Sequence, residues 1–78
     1  MTAPLLYGTH AGNVVQLDHR GNPGAPLTLA TAQATLARYR TRADAMKAEG
    51  KDDGARLAHR IAAELHAAIL TVSMETAA

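Results

Sequence analysis

Four histidines, His10, His19, His59 and His66, are the side chains of this 78-residue chain best suited to holding a metal. Their spacing works against it. His59 and His66 stand two helical turns apart, so their Cα atoms would lie ~10 Å apart along the axis. One zinc at ~2.0–2.1 Å from each ligand does not bridge that gap, and the i, i+4 pair of a zinc-protease helix is absent. Glu64 falls five positions after His59 and two before His66, so it completes no compact chelate with either. Asp18 and His19 are neighbours in a strand-like run, which sends their side chains to opposite faces. The chain has no cysteine, which removes disulfides, thiolate zinc sites and cysteine nucleophiles together. Ser73 is its one serine and lacks the glycine-flanked elbow that activates such a nucleophile. The glycines of Gly21-Asn22-Pro23-Gly24 have neither the spacing nor the Lys-Ser/Thr ending of a phosphate-cradling loop. These residues predict a non-enzyme with no metal, no cofactor and no catalytic group.

The arginines carry more. Six of the eight basic residues are arginine, and Arg38, Arg40, Arg42, Arg56 and Arg60 crowd into a short stretch with Lys47 and Lys51. The whole chain has a net charge of only +1 and a pI near 8.3, below the ~9 of a domain built around a nucleic-acid footprint. A helix-turn-helix needs a small residue four before its turn glycine and an aliphatic one six after it. From Gly50 those positions are Met46 and Arg56; from Gly54 they are Gly50 and Arg60. Both registers fail at the second position. RNA-stacking aromatics are confined to Tyr7 and Tyr39. Arg38 and Arg42, four apart on the outer face of a helix, are the candidate polar recognition surface, and phosphate contact through them is the second functional reading.

The elements that must position these residues follow from a change of composition near residue 28. All three prolines and four of the six glycines precede it; Ala, Arg and Leu dominate after it. Leu5-Leu6-Tyr7 and Val14-Val15-Gln16-Leu17 are strand formers, with the positive φ of a tight turn expected at Gly12-Asn13. Val15, Leu17 and His19 share one face and Val14, Gln16, Asp18 and Arg20 the other, which suits a strand covered on one side. Gly21-Asn22-Pro23-Gly24-Ala25-Pro26 should break regular structure, leaving Leu27-Thr28-Leu29 as a third short strand or a lead-in to the helix. Leu29, Ala32, Leu36, Tyr39, Ala43 and Met46 then repeat at spacings of three and four, an amphipathic helix over 29–49 capped by Thr28 or Thr31 and stopped at Gly50. A second helix over 53–74, capped by Asp52 or Asp53, carries Leu57, Ala58, Ile61, Ala62, Leu65, Ala68, Ile69 and Val72 on one stripe. Ala58–Ala62 and Ala63–Ala67 offer seams for close helix contact.

The fold expected is α+β: one domain over 1–78, with an N-terminal β-hairpin (1–28) packed on a C-terminal antiparallel two-helix hairpin. Of the 37 apolar residues behind the 47% hydrophobic share, 18 are alanine, so the core is thin. The second helix presents an apolar arc of about 140° against about 100° on the first, by projection at 100° per residue. That surplus predicts a homodimer, with Ile61, Leu65, Ile69 and Val72 as the apolar interface. No apolar run reaches the ~18 residues of a membrane span, and Met1-Thr2-Ala3-Pro4 has neither the basic nor the apolar region of a secretory signal, so a cytoplasmic location is expected. The functional expectation is a small interaction or regulatory module, adaptor or inhibitor in type, that acts on an unidentified protein partner through surface recognition.

Overall fold

A two-residue turn organises the N-terminal half. In the computed structural model, which describes residues 6–77 and their side chains as far as 75, strand β1 (Tyr7–His10) pairs antiparallel with β2 (Asn13–Leu17), His10 opposite Asn13. Ala11 (φ 53°) and Gly12 (φ 80°) form the connection. Two consecutive positive φ angles twist a hairpin in the sense its strands require. The turn therefore sits one residue earlier than Gly12-Asn13; Asn13 opens β2, and its Nδ2 donates to the Ala11 carbonyl at 3.4 Å. Leu5, expected in the first strand, lies outside the described residues. An L-residue in the left-handed region costs about 1–2 kcal/mol, partly offset in alanine by its smaller unfolded-state entropy. Ala11→Gly should accordingly raise stability by about 0.5–1 kcal/mol in urea unfolding; a loss of stability would show that Ala11 is not strained.

The segment expected to break regular structure instead forms β3 (Pro23–Leu27), antiparallel to β2, so the sheet has three strands in the order β1-β2-β3. Two prolines are compatible with a strand here because β3 is an edge, where one side of the backbone needs no donor. The register runs Val14↔Leu27, Val15↔Pro26 and Leu17↔Pro23, with one extra residue bulged in β3. Gly24 belongs to that bulge, and a Cβ on it would stand 3.0 Å from the Gln16 carbonyl oxygen. The β2–β3 turn is tied by Asp18, whose carboxylate accepts from the backbone N–H of Arg20 (2.8 Å) and Asn22 (2.9 Å) and from the Asn22 amide (3.4 Å).

Those bonds favour the ionised carboxylate and hold Asp18 below its ordinary value of 3.8, the bonds to Asn22 and Arg20 being the largest causes. A carboxylate depressed in the folded state adds stability above its unfolded value and loses it as pH falls through the folded one. The Asp18 carboxyl carbon should therefore titrate in NMR with a midpoint under 3.8, and the melting temperature should begin to fall as the pH drops below that value. A midpoint at or above 3.8 would mean that the turn does not hold its carboxylate in solution.

Helix α1 (Leu29–Ala48) starts at Thr28, whose Oγ1 accepts from the Thr31 N–H at 3.1 Å. It ends where Gly50 takes φ 79°. Gly50 N–H donates to Lys47 O (3.1 Å) and Lys51 N–H to Met46 O (2.8 Å), the paired bonds of a Schellman stop. Helix α2 (Asp52–Ala77) begins at once, with Asp52 and Asp53 at the positive end of its dipole, and so runs back antiparallel to α1. Met46 lies over Gly54, where a Cβ would stand 2.9 Å from its sulfur.

The core joins both halves: Tyr7 and Val14 from the sheet, Ala32 and Leu36 from α1, and Ile61, Ala62, Leu65, Ala68, Ile69 and Val72 from α2, with Leu6, Leu27 and Tyr39 half-buried around them. Helix α2 packs on β1 and β2 and along α1, while β3 reaches past it. The helix-facing side of β2 is thus that of Val14, paired with Thr9 and Leu27, rather than that of Val15, Leu17 and His19. Val15 is nevertheless as buried as Val14 (1% exposed each), while His19 is exposed. Leu57, expected on the buried stripe, is half exposed, and it falls at the margin of the α2 arc. Ala58 and Ala62 are buried, whereas Ala63 and Ala67 face outward and form no seam with α1. Among the described residues no helix is long and apolar enough to cross a membrane.

Candidate functional site

Arg38 and Arg42 sit on a flank of α1, one turn apart, beside the overhanging part of the sheet. The space between them and the sheet is an open groove of about 770 Å³. Leu27 of β3, Gln16 of β2 and Tyr7 of β1 form one wall; Thr35, Arg38, Tyr39 and Arg42 of α1 form the other. The groove lies where β3 extends beyond the main packing of α2, which falls on β1 and β2, while Leu27 of β3 still packs against the shared core.

Two tyrosines close its inner end. Their rings meet edge to face, with centroids 6.4 Å apart at 72°, an arrangement the ring quadrupoles favour. Burial, reinforced by a side-chain hydrogen bond to Tyr39, pushes the Tyr7 phenol above its ordinary value of 10.0, and the nearby Arg38 charge opposes this. Tyr7 therefore presents a neutral hydroxyl and not a base. The arginines carry the charge of the groove. No carboxylate lies within ion-pairing distance of Arg38 or Arg42 among the described residues, whereas on α2 Arg56 meets Asp53 at 2.6 Å and Arg60 meets Glu64 at 3.6 Å. Two unneutralised guanidiniums above an apolar and aromatic floor can bind carboxylates in a planar, bidentate manner while their stems lie along the floor.

The four apolar residues expected at an interface are placed differently. Ile61, Leu65, Ile69 and Val72 lie inside the single chain, covered by β1, β2 and α1. The apolar surface that α2 leaves exposed is on its other side, at Leu70 (50% exposed) and Met74 (71%). His10, His19, His59 and His66 are all exposed, and no three metal-ligating side chains stand together among the described residues. Gln16, Leu27 and Tyr7 are the groove residues that the sequence did not mark. Gln16 shares the helix-facing side of β2 with Val14, and only the strand register brings it across to Arg38.

Glu64 also gains a role. It is largely buried; Oε2 accepts from the Leu6 backbone N–H at 2.9 Å while Oε1 faces Arg60. Glu64 thus fastens the start of the sheet to α2 while pairing with Arg60 one turn before it.

No protein-family model matches the chain, nor does any curated protein or solved structure.

Proposed function

We propose that this protein is a small non-enzymatic interaction module, adaptor or inhibitor in type, that grips an acidic segment of a protein partner in the groove between α1 and the β2–β3 edge. The observation that carries the reading is the pair of unneutralised arginines, Arg38 and Arg42, set over Tyr7, Tyr39 and Leu27. Charge complementarity selects carboxylates, and the apolar floor selects a segment that also offers a hydrophobic side chain. Two arginines one turn apart neutralise at most two phosphates, and a net charge of +1 is small for a nucleic-acid footprint, which favours an acidic peptide over duplex DNA. The test is a random-peptide display selection on the wild-type protein and on the Arg38→Ala, Arg42→Ala variant. The wild type should enrich peptides that combine Asp or Glu with an apolar residue, and the variant should lose them. The same variant should keep its stability to within ~1 kcal/mol, since both side chains are exposed. No enrichment by the wild type would overturn the reading. Salt-sensitive binding to DNA, its log–log slope reduced by about 0.9 for each lost arginine, would replace it with the nucleic-acid one.

A further inference from the structure

The ladder between β1 and β2 stops at Leu6, and it stops one bond short. Leu6 O accepts from the Leu17 N–H at 2.8 Å, one half of the exchange that a bonded antiparallel pair makes. In place of the other half, the Leu6 N–H donates to Glu64 Oε2 at 2.9 Å. Leu6 is therefore held from two sides, by β2 through its carbonyl and by α2 through its amide. Glu64 reaches it from within the fold, with only 9% of its side chain exposed. A buried carboxylate is costly unless a donor offsets it, and an apolar side chain would fill the position without that cost.

The residue that follows Leu6 is Tyr7. It pairs with Gln16 at the alternate, unbonded position of the ladder. Its own peptide groups thus take no bond from β2, and its neighbours in the chain set where it stands. The Tyr7 ring is buried (7% exposed), meets Tyr39 edge to face at 6.4 Å, and lines the groove with Arg38 and Arg42. We propose that Glu64 is a positioning residue of that groove: by holding the Leu6 amide it fixes Tyr7 against Tyr39, and with it the floor beneath the two arginines. This role rests on the groove being the binding site, yet the tyrosine geometry exists without a ligand and is measured without one. Arg60 is not needed for it. Its guanidinium stands 3.6 Å from the other carboxylate oxygen on a side chain that is 45% exposed, too long and too solvated a contact to direct Glu64.

Glu64→Met keeps a long side chain and a good helix former while removing the acceptor; Glu64→Gln keeps an acceptor oxygen without the charge. NMR of the full chain, well below the melting temperature of each variant, should show Tyr7–Tyr39 inter-ring NOEs in the wild type, in Glu64→Gln and in Arg60→Ala. In Glu64→Met they should weaken or vanish. The Tyr7 phenol should titrate above 10.0 in the first three and move back toward that value in Glu64→Met, the glutamine variant separating this from the loss of a nearby negative charge. A peptide enriched on the wild type should bind Glu64→Met roughly three- to tenfold more weakly. If no peptide is enriched, the groove's function fails and the tyrosine measurements still decide the role of Glu64. Glu64→Asp, which draws the acceptor back by one carbon, should weaken the same NOEs and carries the test if Glu64→Met does not fold. A Glu64→Met chain that is less stable but keeps the wild-type Tyr7 contacts and titration would overturn the proposal, because Glu64 would then serve stability alone. So would a Glu64→Gln chain that loses those contacts as Glu64→Met does.

Discussion

Leu65→Asp should leave the chain without a cooperative unfolding transition at 25 °C. Leu65 is fully buried (0% exposed) amid the core that the sheet and both helices share. Truncating a leucine of this kind already costs about 2–5 kcal/mol, and a carboxylate left there without a partner adds several more. Stability of about 0.05–0.15 kcal/mol per residue gives a chain this short roughly 4–12 kcal/mol in all, so the substitution removes most or all of it. Circular dichroism with urea titration measures this directly, and Leu65→Met, which conserves volume, is the control expected to lose under about 1.5 kcal/mol. A Leu65→Asp melt within a few degrees of wild type would show that the core described here is not the one that holds the chain together.

Ala43→Leu tests the helix pair instead of the shared core. Ala43 is fully buried near the end of α1, and the short reversal through Gly50 turns this end toward the start of α2, where Ala55 and Ala58 are also buried. Small side chains on both sides let the backbones approach closely, and three added carbons have nowhere to go. Overpacking of this kind costs about 1–3 kcal/mol, which in a domain of this size lowers Tm by roughly 4–8 °C for each kcal/mol. Ala34→Leu makes the same change at an exposed position of α1 and should leave Tm nearly unchanged. Equal effects from the two would mean that the helices do not approach as closely as described.

The helices were legible because their signals are local. The repeat from Leu29 to Met46, the threonine at position 28 and the glycine at 50 each act within one turn of the residues they organise. The third strand was legible only at Leu27, where the choice stood between a short strand and a lead-in to the helix, and its other residues hid for the opposite reason. Pro23 and Pro26 forbid a central strand, and only its place at the sheet edge, beside a bulge that admits Gly24, makes Pro23–Leu27 extended. Arg38 and Arg42 were visible as a pair, but on a solvated outer face; Gln16 and Leu27 reach them only once the strand register is fixed. The apolar stripe on α2 is buried from Ala58 to Val72, while Leu57 at its margin is half exposed. Its cover was sought in a second chain, whereas Tyr7, Val14, Leu27 and Leu6 supply it from within, aided by a Glu64 carboxylate whose partner is a backbone amide 58 positions away.

That attachment of the first strand to the last helix sets the order of events during synthesis. As the chain emerges, β1, β2 and β3 can pair and α1 can wind, but the small sheet has no apolar surface to rest on until the residues from Ile61 to Val72 have followed. A sheet of three short strands needs a hydrophobic face or a helix to pack against for independent stability, and α1 contributes Ala32 and Leu36 to the buried core, with Tyr39 at its side. A nascent chain stalled before residue 61 therefore exposes Tyr7, Val14 and Leu36 together, and a truncation at that point yields a ready substrate for proteases and chaperones instead of a smaller domain. The shared core completes only once α2 has left the ribosome.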